Sequence, residues 1–128
     1  MVQNIDLQLH EKRHTDFHQK RIGRAQAQGY DTPVTAFLSD VFITSGAAVG
    51  VTFGHKMQNA FTGRFADGHR IRTSDVKRVE KQGRFWVLTT MNSTYVVASF
   101  KRGIGRASLR MFLSIANIDY HHTPASVQ

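Results

Sequence analysis

The stretch RFWVLTTMNSTYVVASF, residues Arg84 to Phe100, decides what kind of domain this chain builds. It reads as two strands, Arg84 to Met91 and Thr94 to Phe100, turning at Asn92-Ser93. With a two-residue turn, Trp86, Leu88, Tyr95 and Val97 share one face. Phe85, Val87, Val96, Ala98 and Phe100 share the other. An antiparallel sheet usually leaves one face wet, whereas both faces here are apolar, so each must be covered.

Working outward, KRGIGR at Lys101 to Arg106 breaks the sheet. A helical face, Leu109, Phe112, Leu113 and Ala116, follows a candidate cap at Ser108 and is a natural cover for one side. From about His121 the chain reads as a tail. Upstream, Ser74 to Gly83 is a charged connection, either a capped helical turn at Ser74-Asp75 or another strand. Ala47 to Phe53 reads as a strand. Thr32-Pro33 marks a helix start, with Val34, Phe37, Leu38 and Val41 at helical spacing, before β-branched and aromatic residues at Val41 to Thr44 turn the chain extended. Leu7 to Gln28 suits a basic helix ended by Gly29, with Leu7, His14, His18, Ile22 and Ala25 on one side and Arg13, Lys20 and Arg24 on another. The fold expected is α+β: a bent antiparallel sheet or small open β-barrel of about five strands, with a basic N-terminal helix and an amphipathic C-terminal helix. The organisation expected is a basic N-terminal segment over 1–29, a single domain over 30–120 and a tail over 121–128.

A chain of 128 residues that is 41% hydrophobic, with nine Phe, can fill a single core. Its net charge of +8 and pI near 10.5 speak of partners rather than of fold. Nucleic acid, DNA or RNA, is the first candidate, and an acidic protein or nucleoprotein complex the second. The absence of cysteine removes disulfides, thiolate catalysis and cysteine-based zinc sites. No apolar run approaches the roughly 20 residues of a membrane span, and the first residues lack the apolar core of a secretory signal. No membrane partner is expected, and the location expected is cytoplasmic; Asn92-Ser93-Thr94 is then a turn rather than a glycosylation site.

Positive charge concentrates in FTGRFADGHRIRTS, Phe61 to Ser74. The segments Ala60 to Ala66 and His69 to Thr73 read as a hairpin around Asp67-Gly68. A three-residue loop, Ala66-Asp67-Gly68, puts Phe61, Phe65 and Ile71 on one face and Arg64, Arg70 and Arg72 on the other. Like charges facing each other across a sheet repel, and a polyanion laid over them would relieve the repulsion. Lys77, Arg78, Lys81 and Arg84 follow directly, Lys101, Arg102 and Arg106 extend the set, and a row of cations of this kind gives salt-dependent affinity for phosphates. Glycines in KRGIGR could also let backbone N–H groups approach a phosphate at a helix start, although a turn is the plainer reading. Tyr95 and Trp86 are candidates for base stacking, but a small domain needs them first as core.

His10-Glu11-Lys12-Arg13-His14 matches the H-E-x-x-H pattern of zinc peptidases, with His18 one turn on. No sheet can precede a motif beginning at residue 10, and its middle is charged, so the match is read as chance. Only two glutamates, Glu11 and Glu80, are present, and the seven aspartates show no pairing for acid–base work. The chain is therefore read as non-enzymatic, with no metal and no cofactor. A nucleic-acid-binding accessory protein is the first reading, a protein-binding inhibitor or adaptor the second, and a zinc-dependent hydrolase a remote third. Small, basic, cysteine-free and poor in motifs, the chain is similar in general make-up to accessory proteins of phages and plasmids, a likeness that carries no site.

Overall fold

The computed structural model describes residues 14–115 and 119–123. The deciding hairpin forms as β5 (Phe85–Thr89) and β6 (Thr94–Val97), with Trp86 opposite Val97 and Leu88 opposite Tyr95; its turn is at Met91-Asn92, where Thr90 N–H donates to the Ser93 carbonyl at 2.9 Å, and not at the expected Asn92-Ser93. Each face is covered. Helix α1 (Gln19–Ala27), entered through a π-type turn at His14–His18, lays Ile22 and Ala25 on Phe85, Val87, Val96 and Ala98. Helix α2 (Gly105–Ile115) lays Leu109, Phe112 and Leu113 on the opposite cluster with Leu88, Tyr95 and Val97. Phe100, expected on the α1 side, packs on the α2 side, because the strand ends at Val97 and the chain bends.

The remaining strands are β1 (Ala36–Thr44), β2 (Ala47–Phe53), β3 (Arg70–Asp75), β4 (Arg78–Gln82) and β7 (Asp119–Thr123). The sheet order is β3-β2-β1-β6-β5-β4-β7. It is mixed, since β1 runs parallel to β6 and β4 parallel to β7. Only Val76 and Lys77 separate β3 from β4, yet four strands lie between them in the sheet. In a flat sheet those two strands would be about 24 Å apart, at about 4.8 Å per step. The link reaches only about 11 Å, three Cα–Cα steps. The sheet therefore curls until its β3 and β4 regions meet. Val76 N–H donates to the Gly46 carbonyl and Lys77 N–H to that of Thr89, so the link bridges both halves at 2.8 Å each. Ile71, Val76 and Val79 join Leu38, Leu88 and Val97 in one core inside this trough. The α+β class stands, as an open sheet not closed into a barrel.

Three further expectations give way. Thr32-Pro33 starts no helix: residues 31–35 form no regular element and β1 follows, because Ala36 and Leu38 are buried against one core while Phe37 serves the other. Residues 60–66 form no strand. They belong to a long excursion, 54–69, and β3 pairs instead with β2, placing Arg70 opposite Val51 and Arg72 opposite Val49. His121 and His122, expected in a tail, lie in β7. The charged connection after Ser74 resolves as strand β4. Of the N-terminal motif, residues 10–13 lie outside the described residues, as do Leu7 of the helix face and Ala116 of the α2 face.

Strand β1 carries a bulge between Ser39 and Phe42, with Asp40 in the left-handed region at φ 59. Beside it β2 has Gly50, where a Cβ would sit 2.9 Å from Val41 Cγ2 and 3.1 Å from the Ser39 carbonyl oxygen. The bulge is pinned from the turn that enters α1: His18 Nδ1 lies 3.0 Å from Ser99 Oγ and 3.1 Å from Ser39 Oγ, and Asp40 N–H donates to Ser99 Oγ at 3.0 Å.

Candidate nucleic-acid interface

Helix α2 begins three residues before the expected cap at Ser108. Gly105 lies against the Val41 carbonyl oxygen and the Phe100 Cβ, so the helix start packs closer than any side chain would allow. Ser108 Oγ donates to the Gly105 carbonyl at 2.6 Å and accepts from Ile43 N–H at 2.8 Å, clamping the first turn of α2 to β1. The KRGIGR segment is thereby held over the α2 end of the trough. A depression of about 300 Å³ there is lined by Lys101, Arg102, Arg106 and Arg110, with Gly103 at φ 87 in its rim.

A second group of cations adjoins these. Phe85 and Trp86 start β5 at the same end of the sheet, and Ala98 and Phe100 follow β6. The Arg21 guanidinium lies 5.2 Å from the Phe85 ring centroid, and its Nε–H donates to the Ala98 carbonyl at 3.0 Å. Lys81 sits over the Trp86 ring at 5.2 Å, Lys101 over Phe42 at 5.2 Å and Arg106 over Phe100 at 4.8 Å. Arg84, in the β4–β5 turn, is tied through its N–H to Gln28 Oε1 just beyond α1. Burial, then Arg106, Arg24 and Arg84, push the Arg21 pKa down. Burial, then Arg106 and Arg21, do the same to Lys81. Eight cations thus gather at one end: Arg21, Arg24, Lys81, Arg84, Lys101, Arg102, Arg106 and Arg110. Among the described residues none of the eight has an ion pair.

Of the residues expected from the sequence, Lys101, Arg102 and Arg106 are brought together here, and Lys81 and Arg84, from the basic run after Ser74, join them. The others are placed elsewhere. Arg70 meets Asp40 at 3.9 Å and Arg78 meets Glu80 at 3.7 Å, so both charges are partly cancelled inside the chain. Lys77 is exposed on the β3–β4 link. Arg72 is exposed on edge strand β3, and Arg64 stands on the excursion over the Phe65 ring at 4.8 Å. The expected burial of Ile71 beside two phenylalanines is replaced. Ile71 packs on the core, Phe65 stacks on His55 and Phe61 is 100% exposed. Arg21, Arg24 and Arg110 were not expected here; Arg110 lies one helical turn after Arg106, and Arg21 and Arg24 arrive from α1, distant in sequence.

Trp86 and Tyr95 belong to the core rather than to an open stacking platform. Among the described residues no three His, Asp or Glu side chains converge as metal ligands, and no helix is long and apolar enough to cross a membrane. No family model, curated protein or solved structure matches the chain.

Proposed function

We propose that this protein is a non-enzymatic nucleic-acid-binding accessory protein that grips the phosphate backbone with the α2 end of its trough. One observation carries the reading: cations at this end rest on aromatic rings and backbone carbonyls rather than on carboxylates. A carboxylate cancels the charge it holds, whereas a ring face positions a cation and leaves its field intact. Backbone contacts of this type position a strand or duplex without reading its sequence. The setting proposed is the cytoplasm, where a chain without cysteine is at no disadvantage.

Fluorescence anisotropy with random-sequence DNA and RNA at 50 and 200 mM salt is the test. The expected result is tight binding to either that collapses steeply as salt rises. Affinity unchanged across that range would overturn the reading.

A second reading has its own observation. Ile104, just before α2, and Met111 and Ile115 within it are exposed and recur along one side, while Arg106 and Arg110 occupy the other side of the exposed face. An apolar stripe on the same helix as a row of cations suits an acidic protein partner, with the charges setting the encounter rate and the stripe the lifetime. Failure to retain either nucleic acid at low salt would transfer the α2 end to that reading.

A further inference from the structure

The opposite end of the trough is built differently. Ala36 and Tyr95 pair there, at the start of β1, while α2 sits at the far end against Val41 and Ile43. The excursion 54–69 lies beside this mouth and forms one wall of an open cavity of about 640 Å³. Binding sites of that size recur in the mouths of curled sheets. The excursion holds its own shape: Asn59 Oδ1 accepts from Phe61 N–H at 2.8 Å, and Asp67 Oδ1 accepts from Gly54 N–H at 2.8 Å at its base.

Three features of the cavity point to one ligand chemistry. First, Arg64 and Arg72 both line it, neither has an ion pair among the described residues, and no carboxylate lines it. Second, His55 is 4% exposed and accepts the Met57 N–H at Nδ1, at 3.0 Å. In the neutral ring that contact fixes the proton on Nε2, and the buried Nε2 has no hydrogen-bond partner among the described residues. Burial and then Arg64 push the His55 pKa down, which keeps the ring neutral and Nε2 a donor. A buried donor without an acceptor is rare and calls for a physical reason. Third, Phe65 stacks flat on His55, centroids 4.0 Å apart and planes 3° apart, with Arg64 over the Phe65 ring. Phe65 has φ 59, a left-handed conformation unfavourable for a bulky residue. Orphaned donor, unpaired cations and backbone strain therefore coincide in one place, as they do where a ligand completes a site.

We infer that this cavity binds a small organic phosphomonoester, of sugar-phosphate or mononucleotide size. Arg64 and Arg72 hold the phosphate dianion, whose charge their two positive charges balance. The His55 Nε2–H donates to an oxygen of the ligand, which reaches it as the strained Phe65 ring moves aside. Thr90, Asn92 and Ser93 supply hydroxyl and amide groups for the polar skeleton. The five residues of β5 separate this mouth from the cations at the α2 end by roughly 16 Å, so the two sites act independently.

The test is an NMR titration of the full chain, following the imidazole C–H signals of His55 and the guanidinium signals of Arg64 and Arg72. The probes are ribose 5-phosphate, adenosine 5′-monophosphate, adenosine and inorganic phosphate. Both esters are expected to shift the three side chains saturably, and adenosine to leave them unmoved. Arg64→Gln and Arg72→Gln, both at exposed positions, are expected to keep the wild-type Tm and to weaken each ester about tenfold or more. Three results would overturn the inference. Esters that move only Arg102, Arg106 and Arg110 would assign phosphate binding to the α2 end alone. Adenosine shifting His55 as strongly as its monophosphate would make the cavity a stacking site. Inorganic phosphate binding as tightly as the esters would remove the organic skeleton from recognition.

Discussion

Replacing Arg106 by Gln separates binding from stability more sharply than any other single change. Arg106 is exposed on the first turn of α2, over the Phe100 ring, and is the cation that most lowers the pKa of Lys81 and of Arg21 after burial. Its loss removes a cation–π contact worth about 0.5–1 kcal/mol at an exposed site. It also relieves two like-charge repulsions, about 0.2–0.5 kcal/mol each if they resemble pairs on a helix surface. The two effects nearly cancel, so Tm should move by no more than about 3 °C. Binding has no such compensation. Eight phosphate contacts would give a slope of log K against log salt of about −7 on a duplex, a loss of about 10⁴-fold between 50 and 200 mM. The variant should reduce that slope by about 0.9 on a duplex, or about 0.7 on a single strand, and weaken all sequences alike. Anisotropy titrations at several salt concentrations, paired with thermal melts, measure both quantities. An unchanged slope would refute the assignment of Arg106 to the interface, and a fall in Tm beyond about 8 °C would show it to be structural.

Other perturbations test the scaffold. Gly105→Ala should cost about 1–3 kcal/mol in urea unfolding, because the new methyl meets the Val41 carbonyl and a Phe100 Cβ only 2.7 Å away. Gly23→Ala, in α1 with open space around it, should instead stabilise by about 0.5–1 kcal/mol. Ser99→Ala should cost about 1–3 kcal/mol, since Asp40 N–H loses its acceptor and His18 a partner in a buried cluster. Burial pushes the Tyr30 hydroxyl, which donates to the Ala25 carbonyl at 2.6 Å, up to about 12. The folded pKa lies above the unfolded one near 10, so this stabilisation is complete below pH 10 and is lost as pH rises toward 12. The difference in denaturation midpoint between wild type and Tyr30→Phe should shrink over that window.

What was legible in the sequence was local. The chain turns at Met91-Asn92 rather than Asn92-Ser93, which shifts the pairing by two residues, and because an even shift keeps every side chain on its face, Trp86, Leu88, Tyr95 and Val97 are still sorted from Val87 and Val96 as the sequence suggests. Ala47 to Phe53 likewise declared itself as β2. The Asp67-Gly68 signal was real but misdirecting. It does turn the chain, yet Asp67 ties back to Gly54 and Gly68 N–H donates to the Thr52 carbonyl, so the turn closes a loop onto β2 rather than joining neighbouring strands. Pairing across sixteen intervening residues, 54–69, overrode the shorter hairpin because it buries Ile71 against the main core. Helical spacing at Val34, Phe37, Leu38 and Val41 lost for a similar reason. A central strand between β2 and β6 gives Leu38 and Phe37 separate cores, which one face of a short helix does not. The curl of the sheet was hidden as well, since only the strand order makes the two-residue link at Val76-Lys77 informative.

The same logic explains why the candidate interface was half-visible. Charge density along the sequence picked out Arg70 and Arg78, but in the fold each sits beside an acid. Exposed ion pairs and exposed cation–π contacts stabilise by similar amounts, about 0–1 kcal/mol, so stability does not decide which a cation receives. Their electrostatic consequences differ. The Asp40 and Glu80 carboxylates withdraw Arg70 and Arg78 from the external field, whereas Phe85, Trp86, Phe42 and Phe100 hold Arg21, Lys81, Lys101 and Arg106 in place and leave their charge outward. The rings can do this only at a sheet end, where an aromatic side chain has one surface in the core and another at the rim. Holding the cations this way also limits the side-chain entropy that a flexible lysine or arginine loses on meeting a phosphate. Substituting the ring rather than the charge, as in Phe100→Leu, should therefore weaken nucleic-acid binding while leaving the salt slope unchanged. A slope that fell with the ring would mean that Arg106 had left the contact altogether, and ring support would then be a condition of contact rather than an aid to it.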